Sequence, residues 1–165
     1  MGKIFAARFT ARVEGPFVVF LVGMRVNRLL AFGKWVPVLR AMGPMLKELY
    51  ANKELGFLHA ETMMSWRGVT MVQYWRSKQD LHVYAAAQGA AHYPAWAAFN
   101  QAIGNDGSVG IWHESYEVAA DRYVSVYRNM PRYGLAKAGE HLSGHGAAGE
   151  ARSYMRGAGG ETTTS

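Results

Sequence analysis

The stretch that decides the fold is FLHAETMMSWRGVTMVQYW, residues 57–75. It contains two runs rich in aromatic, β-branched and other apolar residues, 57–65 and 69–75. Between them stands Trp66-Arg67-Gly68, and a short glycine-containing segment between two such runs is typical of a tight turn. We therefore expect a β-hairpin in the middle of the chain.

Segments on either side of the hairpin predict its neighbours. Residues 17–24, FVVFLVGM, are continuously apolar, as in a strand that is covered on both faces. Apolar residues recur at helical spacing over 35–49, where Gly43-Pro44 is expected to kink or restart the helix. Ser77 stands three residues before an aspartate, which predicts the first turn of a second helix. Residues 109–118 return to strand character.

The order of these elements is β-α-β-β-α-β, the split βαβ arrangement of ferredoxin-like α+β domains. We expect one such domain over residues 1–135, with a further short strand at 123–127. Residues 136–165 are rich in Gly, Ala, Ser and Thr. Such a segment cannot bury enough apolar surface to offset its ordering entropy, so we expect a flexible tail.

The strand at 17–24 leaves one face of the sheet in need of a cover. We expect the helices to cover one face of the sheet. Because apolar side chains of this strand point to both faces, the other face also needs a covering layer. A second copy of the sheet provides such a cover, which predicts a homodimer. Alternatively, helical segments and residues 119–135 close that face within one chain.

Composition excludes several functional classes. The 165 residues are 50% apolar and 18% charged, which fits one domain with a sizeable core. Cysteine is absent, so disulfides, cysteine nucleophiles and thiolate metal sites are excluded. The net charge of +6 comes from scattered Lys and Arg, so we expect no nucleic-acid partner. The apolar run at 17–24 is too short to span a membrane, so we expect no membrane partner and a cytoplasmic location.

Two histidines have a sequence context that favours a role in a site. His92 precedes the apolar stripe of Trp96, Phe99 and Ile103, and it points toward the apolar side in either helical register. A purely structural role for His92 stays open, because an imidazole on an apolar face is often a hydrogen-bonded core residue.

The second histidine, His113, lies within the predicted strand at 109–118. Period-two alternation places it on the same strand face as Val109, Ile111 and Ser115, opposite Trp112, Glu114 and Tyr116. One of these two faces must line the interior. The core interpretation stays open for His113 as well.

Five segments together resemble a known family. They are Glu14-Gly15-Pro16-Phe17-Val18-Val19-Phe20, Val72-Gln73-Tyr74-Trp75-Arg76-Ser77, His92-Tyr93-Pro94-Ala95-Trp96, Gly110-Ile111-Trp112-His113-Glu114 and Asn129-Met130-Pro131. Over roughly residues 5–138 the chain is similar to a monooxygenase-like family of unknown function. That family belongs to the dimeric α+β barrel superfamily, together with the antibiotic-biosynthesis monooxygenases. The resemblance implies a dimeric α+β barrel with a pocket for a small-molecule substrate.

One implication of the resemblance is a heme site. Heme-degrading relatives hold the iron by a histidine late in the helix after the strand-ending tryptophan, and His92 matches that position. Aromatic side chains supply dry walls for a porphyrin, and an imidazole in an apolar cleft is a good axial ligand. The residues implied as cofactor-binding are His92, Trp75, Trp112 and Tyr116, and those implied as catalytic are His113, Asn100 and Trp96. Arg25, Arg28, Arg67 and Arg76 are unranked candidates for the heme propionates.

The resemblance also leaves two alternatives to a heme enzyme. Cofactor-free relatives oxidise or rearrange polycyclic phenols, and there His92 or His113 would be the general base, because imidazole titrates near neutral pH. In that case the residues that position the ring would be Trp96, Asn100, Trp112 and Tyr116. The other alternative is a non-catalytic module that binds heme or another ligand, since a pocket does not by itself imply turnover.

Overall fold

A computed structural model describes residues 2–87, 93 and 106–143. The chain divides into two compact units, residues 17–117 and residues 1–16 with 118–165. The strands are β1 (Phe5–Arg12), β2 (Phe17–Val26), β3 (Phe57–Ser65), β4 (Gly68–Trp75), β5 (Val109–Val118), β6 (Tyr127–Met130) and β7 (Glu140–Ser143). The helices within the described ranges are α1 (Phe32–Ala51), α2 (Lys78–Ala86) and α3 (Leu135–Ala138), with a 3-10 turn at Lys53–Leu55.

The unit of residues 17–117 is built on a four-stranded sheet in the order β3-β4-β2-β5. β4 runs antiparallel to β3 and to β2, and Ser65 pairs with Gly68 across the hairpin. β2 thus lies between β4 and β5, which is the strand order of the split βαβ arrangement. The predicted hairpin and the ferredoxin-like α+β fold are confirmed.

The helices cover one face of this sheet, which we call the helix side. One core cluster joins the sheet to the end of α1 and to α2, and it contains Val18, Leu49, Phe57, Ala60, Trp75, Leu81 and Tyr84. A second cluster joins the sheet to the start of α1, where Trp35, Val38 and Leu39 pack on Met24, Val26 and Val109. None of the helices in the described part of the chain is long and apolar enough to cross a membrane.

Helix α1 departs from the sequence prediction because it does not restart at Gly43-Pro44. The helix is continuous from Phe32 to Ala51 and contains Pro37 and Pro44. Each proline removes one hydrogen bond to the residue four positions earlier, and both prolines are exposed. The two core clusters hold the helix on either side of Pro44, so packing outweighs the local penalty.

The start of α2 confirms the predicted cap. Ser77 Oγ accepts a hydrogen bond from the Asp80 amide at 3.0 Å and donates to the Asp80 carboxylate at 2.7 Å. Arg76 donates to both carboxylate oxygens of Asp80 at 2.9 Å. The guanidinium lowers the pKa of Asp80, so this carboxylate is charged at neutral pH.

The unit of residues 1–16 and 118–165 contains a three-stranded sheet in the order β6-β1-β7. The sequence pattern missed β1 and placed a strand at 123–127, whereas the structure has β6 at Tyr127–Met130. We expected a flexible tail from residue 136, but in the structure α3 extends to Ala138 and β7 follows at Glu140–Ser143. His141 stacks on Phe9 with ring centroids 4.4 Å apart, which explains how a segment of small residues is held. Residues 144–165 lie outside the described part.

Gly68, at the start of β4, allows a close approach of two strands. A Cβ at this position would overlap the main-chain carbonyl oxygen of Met24 and lie 3.1 Å from its carbon. A backbone neighbour cannot move aside as a side chain can, so we expect Gly68→Ala to lower the free energy of unfolding by about 1–3 kcal/mol. Gly110→Ala in β5 is the control, since its nearest neighbour would be 3.8 Å away. Equal urea midpoints for the two variants would contradict this prediction.

Candidate functional site

The alternation predicted for β5 is present in the structure. Val109 packs in the cluster with Met24 and Val26 on the helix side. His113 has the same parity, and its ring centroid is 5.8 Å from that of Phe20, which packs against the helix-side core. On the other face, the indole of Trp112 lies against Gly23. The helix side therefore carries His113, and the opposite face carries Trp112.

A row of three side chains crosses the helix side of the sheet, and we call Gln73, Phe20 and His113 the central row. Phe20 on β2 is paired with Gln73 on β4, and His113 approaches the Phe20 ring from β5. Phe20 is half-buried, and His113 is exposed. The row thus joins a flat apolar ring to one amide and one imidazole on a face that is otherwise mostly apolar.

The amide of Gln73 is oriented by its neighbour on the same strand. Gln73 is only 3% exposed, and its Oε1 accepts a hydrogen bond from the Trp75 indole at 2.9 Å. This bond fixes the amide so that Nε2 keeps its donor capacity. Among the residues that the structure describes, no hydrogen bond from Nε2 is formed. Gln73 is therefore suited to donate a hydrogen bond to a polar atom of a ligand.

Trp75 lies in the core on the helix side. The residue is 1% exposed, and its ring contacts Phe57 and Tyr84 with centroids 5.4 and 5.5 Å apart. Tyr84 in turn donates a hydrogen bond to Glu48 at 3.0 Å, and burial raises the pKa of its hydroxyl. The structure leaves almost none of the indole exposed to a ligand, and the cofactor-binding role of Trp75 stays a prediction.

Trp112 and Tyr116 also lie apart from His113. Both belong to the strand face opposite the helices, where Tyr116 donates a hydrogen bond to Glu114 at 2.6 Å. This bond to a carboxylate raises the pKa of Tyr116. Because side chains of opposite parity point away from each other, these two aromatics do not share a site with His113. The cofactor-binding roles of Trp112 and Tyr116 stay predictions, for a site on the other face of the strand.

Three predicted residues fall outside the described part of the chain. They are His92, Trp96 and Asn100, which all lie in the segment between Ala87 and Asp106 where only Tyr93 is described. Their roles as iron ligand and catalytic residues stay predictions. Within the described ranges, no three His, Asp or Glu side chains come together as a metal site.

A second set of titratable groups lies at the edge strand β3. The hydroxyl of Tyr50, at the end of α1, is 2.8 Å from Nδ1 of His59, and Nε2 of His59 is 3.0 Å from a carboxylate oxygen of Glu61. The Tyr50 hydroxyl also accepts from the Ala60 amide at 3.1 Å. These bonds tie the end of α1 to the sheet, so His59 has a structural role.

The sequence prediction missed two members of the central row. Gln73 lies on the same face of β4 as Val69, Met71 and Trp75. All four side chains are buried, and Gln73 stands out among them as an uncharged polar amide. A polar residue at a buried parity is a visible signal for a site. Phe20 gave no such signal, because it lies within a continuously apolar run.

The family of the chain follows from a comparison of sequences. A family model described as monooxygenase af470-like matches residues 17–135. The chain belongs to the monooxygenase af470-like family. Monooxygenase af470 of Aspergillus fumigatus is 29% identical over 129 residues, which cover 70% of this chain and 44% of that protein. The matched region thus spans less than half of the curated relative.

Several solved structures are similar to parts of the chain. SnoaB of Streptomyces nogalater, a cofactor-independent oxygenase, is 13% identical with a TM-score of 0.41, over 61% of this chain and 90% of that one. The heme-degrader MhuD of Mycobacterium tuberculosis is 21% identical with a TM-score of 0.34, over 61% and 94%. A possible oxidoreductase of Bacteroides thetaiotaomicron is 18% identical with a TM-score of 0.42, over 61% and 96%.

Proposed function

We propose that this member of the monooxygenase af470-like family is an oxygenase that acts on a small aromatic phenol without heme, with His113 as the general base. The observation that supports the proposal is the central row. A phenol needs an apolar surface for its ring, a base for its proton and a donor for the resulting oxyanion. Phe20, His113 and Gln73 supply these three functions on one face of the sheet.

The reaction begins with removal of the phenolic proton. His113 takes the proton on a ring nitrogen, and the Nε2 amide hydrogen of Gln73 binds the phenolate oxygen. Phe20 supports the ring beside these two groups by stacking or edge contact. A charge-assisted hydrogen bond to the phenolate is stronger than one to the neutral phenol, so Gln73 favours the deprotonated form.

The phenolate then reduces molecular oxygen, which is the only oxidant required. With anthrone as the substrate, whose enol form is a phenol, the methylene carbon loses two hydrogens and gains one oxygen atom of O2 as a carbonyl. The second oxygen atom leaves with the two hydrogens as water. The residues of the central row hold the substrate and move its proton, while the electrons pass from substrate to O2.

The residues described here do not fit the heme site that the sequence predicted. Trp75 is enclosed in the core, and Trp112 and Tyr116 lie on the sheet face away from His113. These aromatics cannot enclose one porphyrin together, so no step is assigned to heme. His92 as an iron ligand stays a prediction, as do the homodimer and the cytoplasmic location.

Oxygen uptake tests the proposed function directly. We expect the purified full chain to consume O2 with anthrone or 1-naphthol as the probe, with no added metal, flavin or heme. The control is the same solution without protein, which corrects for autoxidation of the probe. A parallel titration with hemin, followed by its absorbance, distinguishes the two mechanisms. A saturable Soret band at one equivalent per chain, with no uptake by the heme-free protein, would contradict the proposal.

A further inference from the structure

Three loops meet at one end of the four-stranded sheet. The segment after β2 contacts the tip of the hairpin, because the Val26 amide donates to the Arg67 carbonyl at 2.6 Å. The same segment contacts the start of β5, because the Asn27 amide donates to the Ser108 carbonyl at 2.9 Å. We call residues 25–34, 64–68 and 106–108 the loop end.

The loop end exposes large apolar side chains. Leu30 and Trp66 are each 86% exposed and Met64 is 81% exposed, and Leu29 and Phe32 are more than half exposed. Side chains this exposed stand out from the surface and do not line a groove. An exposed apolar set of this size marks an interaction surface, because isolated surface hydrophobics need no explanation but clusters do.

The charges of the loop end are mostly positive. It carries Arg25, Arg28, Lys34 and Arg67 against one carboxylate, Asp106. Lys34 pairs with Asp106, and this contact lowers the pKa of the carboxyl group. In the described ranges the three arginines have no carboxylate partner. The exposed Arg25 and Arg28 are therefore available to an anionic partner beside the apolar tips, whereas the half-buried Arg67 is bonded to the Asn27 carbonyl.

The loop backbone is firmly held beneath these side chains. Asn27 Nδ2 donates to the Gly107 carbonyl at 3.0 Å, and Arg67 donates to the Asn27 carbonyl. The indole of Trp35 donates to the Leu29 carbonyl at 3.0 Å. These bonds fix the backbone at Asn27, Leu29 and Gly107, so these carbonyls are already paired when the tips enter an apolar medium.

We propose that the loop end binds the surface of an anionic lipid bilayer. Trp and Leu side chains insert at the boundary between headgroups and acyl chains, and arginines bind lipid phosphates. A convex set of exposed apolar side chains flanked by cations suits a deformable anionic bilayer better than a protein, which would need a matching concave surface. This inference departs from the sequence-based expectation of no membrane partner. It does not depend on the proposed reaction.

Vesicle co-sedimentation of the full chain tests the proposal. We expect the protein to sediment with phosphatidylcholine vesicles that contain about 30% phosphatidylserine, and much less with phosphatidylcholine alone. Leu30→Ser with Trp66→Ser should lower the partition coefficient at least about tenfold. Arg28→Gln should lower the partition coefficient roughly fivefold, because one cation near an anionic surface strengthens binding by about that factor.

Matched variants control for general changes in the protein. Val83→Ser removes another exposed apolar side chain, on α2, and Lys47→Gln removes an exposed cation near the end of α1. Both should sediment like the unchanged chain. Binding that survives the double substitution, or that falls equally with Val83→Ser, would overturn the proposal. If the unchanged chain does not sediment with vesicles, and the double variant loses self-association in light scattering, the loop end is an interface between protein copies and the lipid proposal is wrong.

Discussion

Replacing Trp75 with alanine is expected to lower the free energy of unfolding by about 3–5 kcal/mol. The indole is enclosed by Phe57 and Tyr84, so its removal leaves a cavity in the core on the helix side. It also removes the donor to Oε1 of Gln73, and an unpaired buried acceptor adds to the loss. Urea unfolding followed by circular dichroism measures the change.

Trp66→Ala is the matched control for this substitution. The same side chain is removed, but Trp66 stands 86% exposed at the hairpin tip. Surface substitutions of this kind change stability by no more than about 0.5 kcal/mol. A loss under about 1 kcal/mol for Trp75→Ala would show that the indole contributes little to the core.

The fold was predictable where local signals and long-range packing agree. The hairpin at 57–75 and the cap at Ser77 have signals within a few residues, and both are confirmed. The strand β1, FAARFTAR, has three small alanines and weak alternation, so its sequence shows little preference. It is held by pairing with β6 and β7 more than 100 residues away along the chain, which a local pattern cannot reveal.

The candidate site was predictable in part from strand parity. Alternation along β5 correctly separated His113 from Trp112, but the predicted site then combined both faces. The missing information was which strands are neighbours, because the pairing of β2 with β4 is what brings Gln73 beside Phe20. The contact of Tyr50 with His59 was beyond prediction for the same reason, since it joins a helix end to an irregular edge strand.

His113→Ala is expected to lower the turnover number for anthrone oxidation by about 100-fold to 10,000-fold, the usual contribution of a general base. The Michaelis constant should change little, because Phe20 and Gln73 still bind the substrate. His113 is exposed on an edge strand, so its removal should leave the thermal unfolding midpoint nearly unchanged. Oxygen uptake measured over a range of probe concentrations separates the two constants.

His82→Ala provides the matched control, since His82 is also exposed but lies on α2 outside the central row. Its turnover should equal that of the unchanged chain. Added imidazole should restore part of the activity of His113→Ala, because an exposed position admits a small base from solution. Rescue distinguishes a lost proton acceptor from a displaced strand, which imidazole cannot repair. Full activity in His113→Ala would exclude the base role and direct attention to His92, the other histidine that the sequence favours.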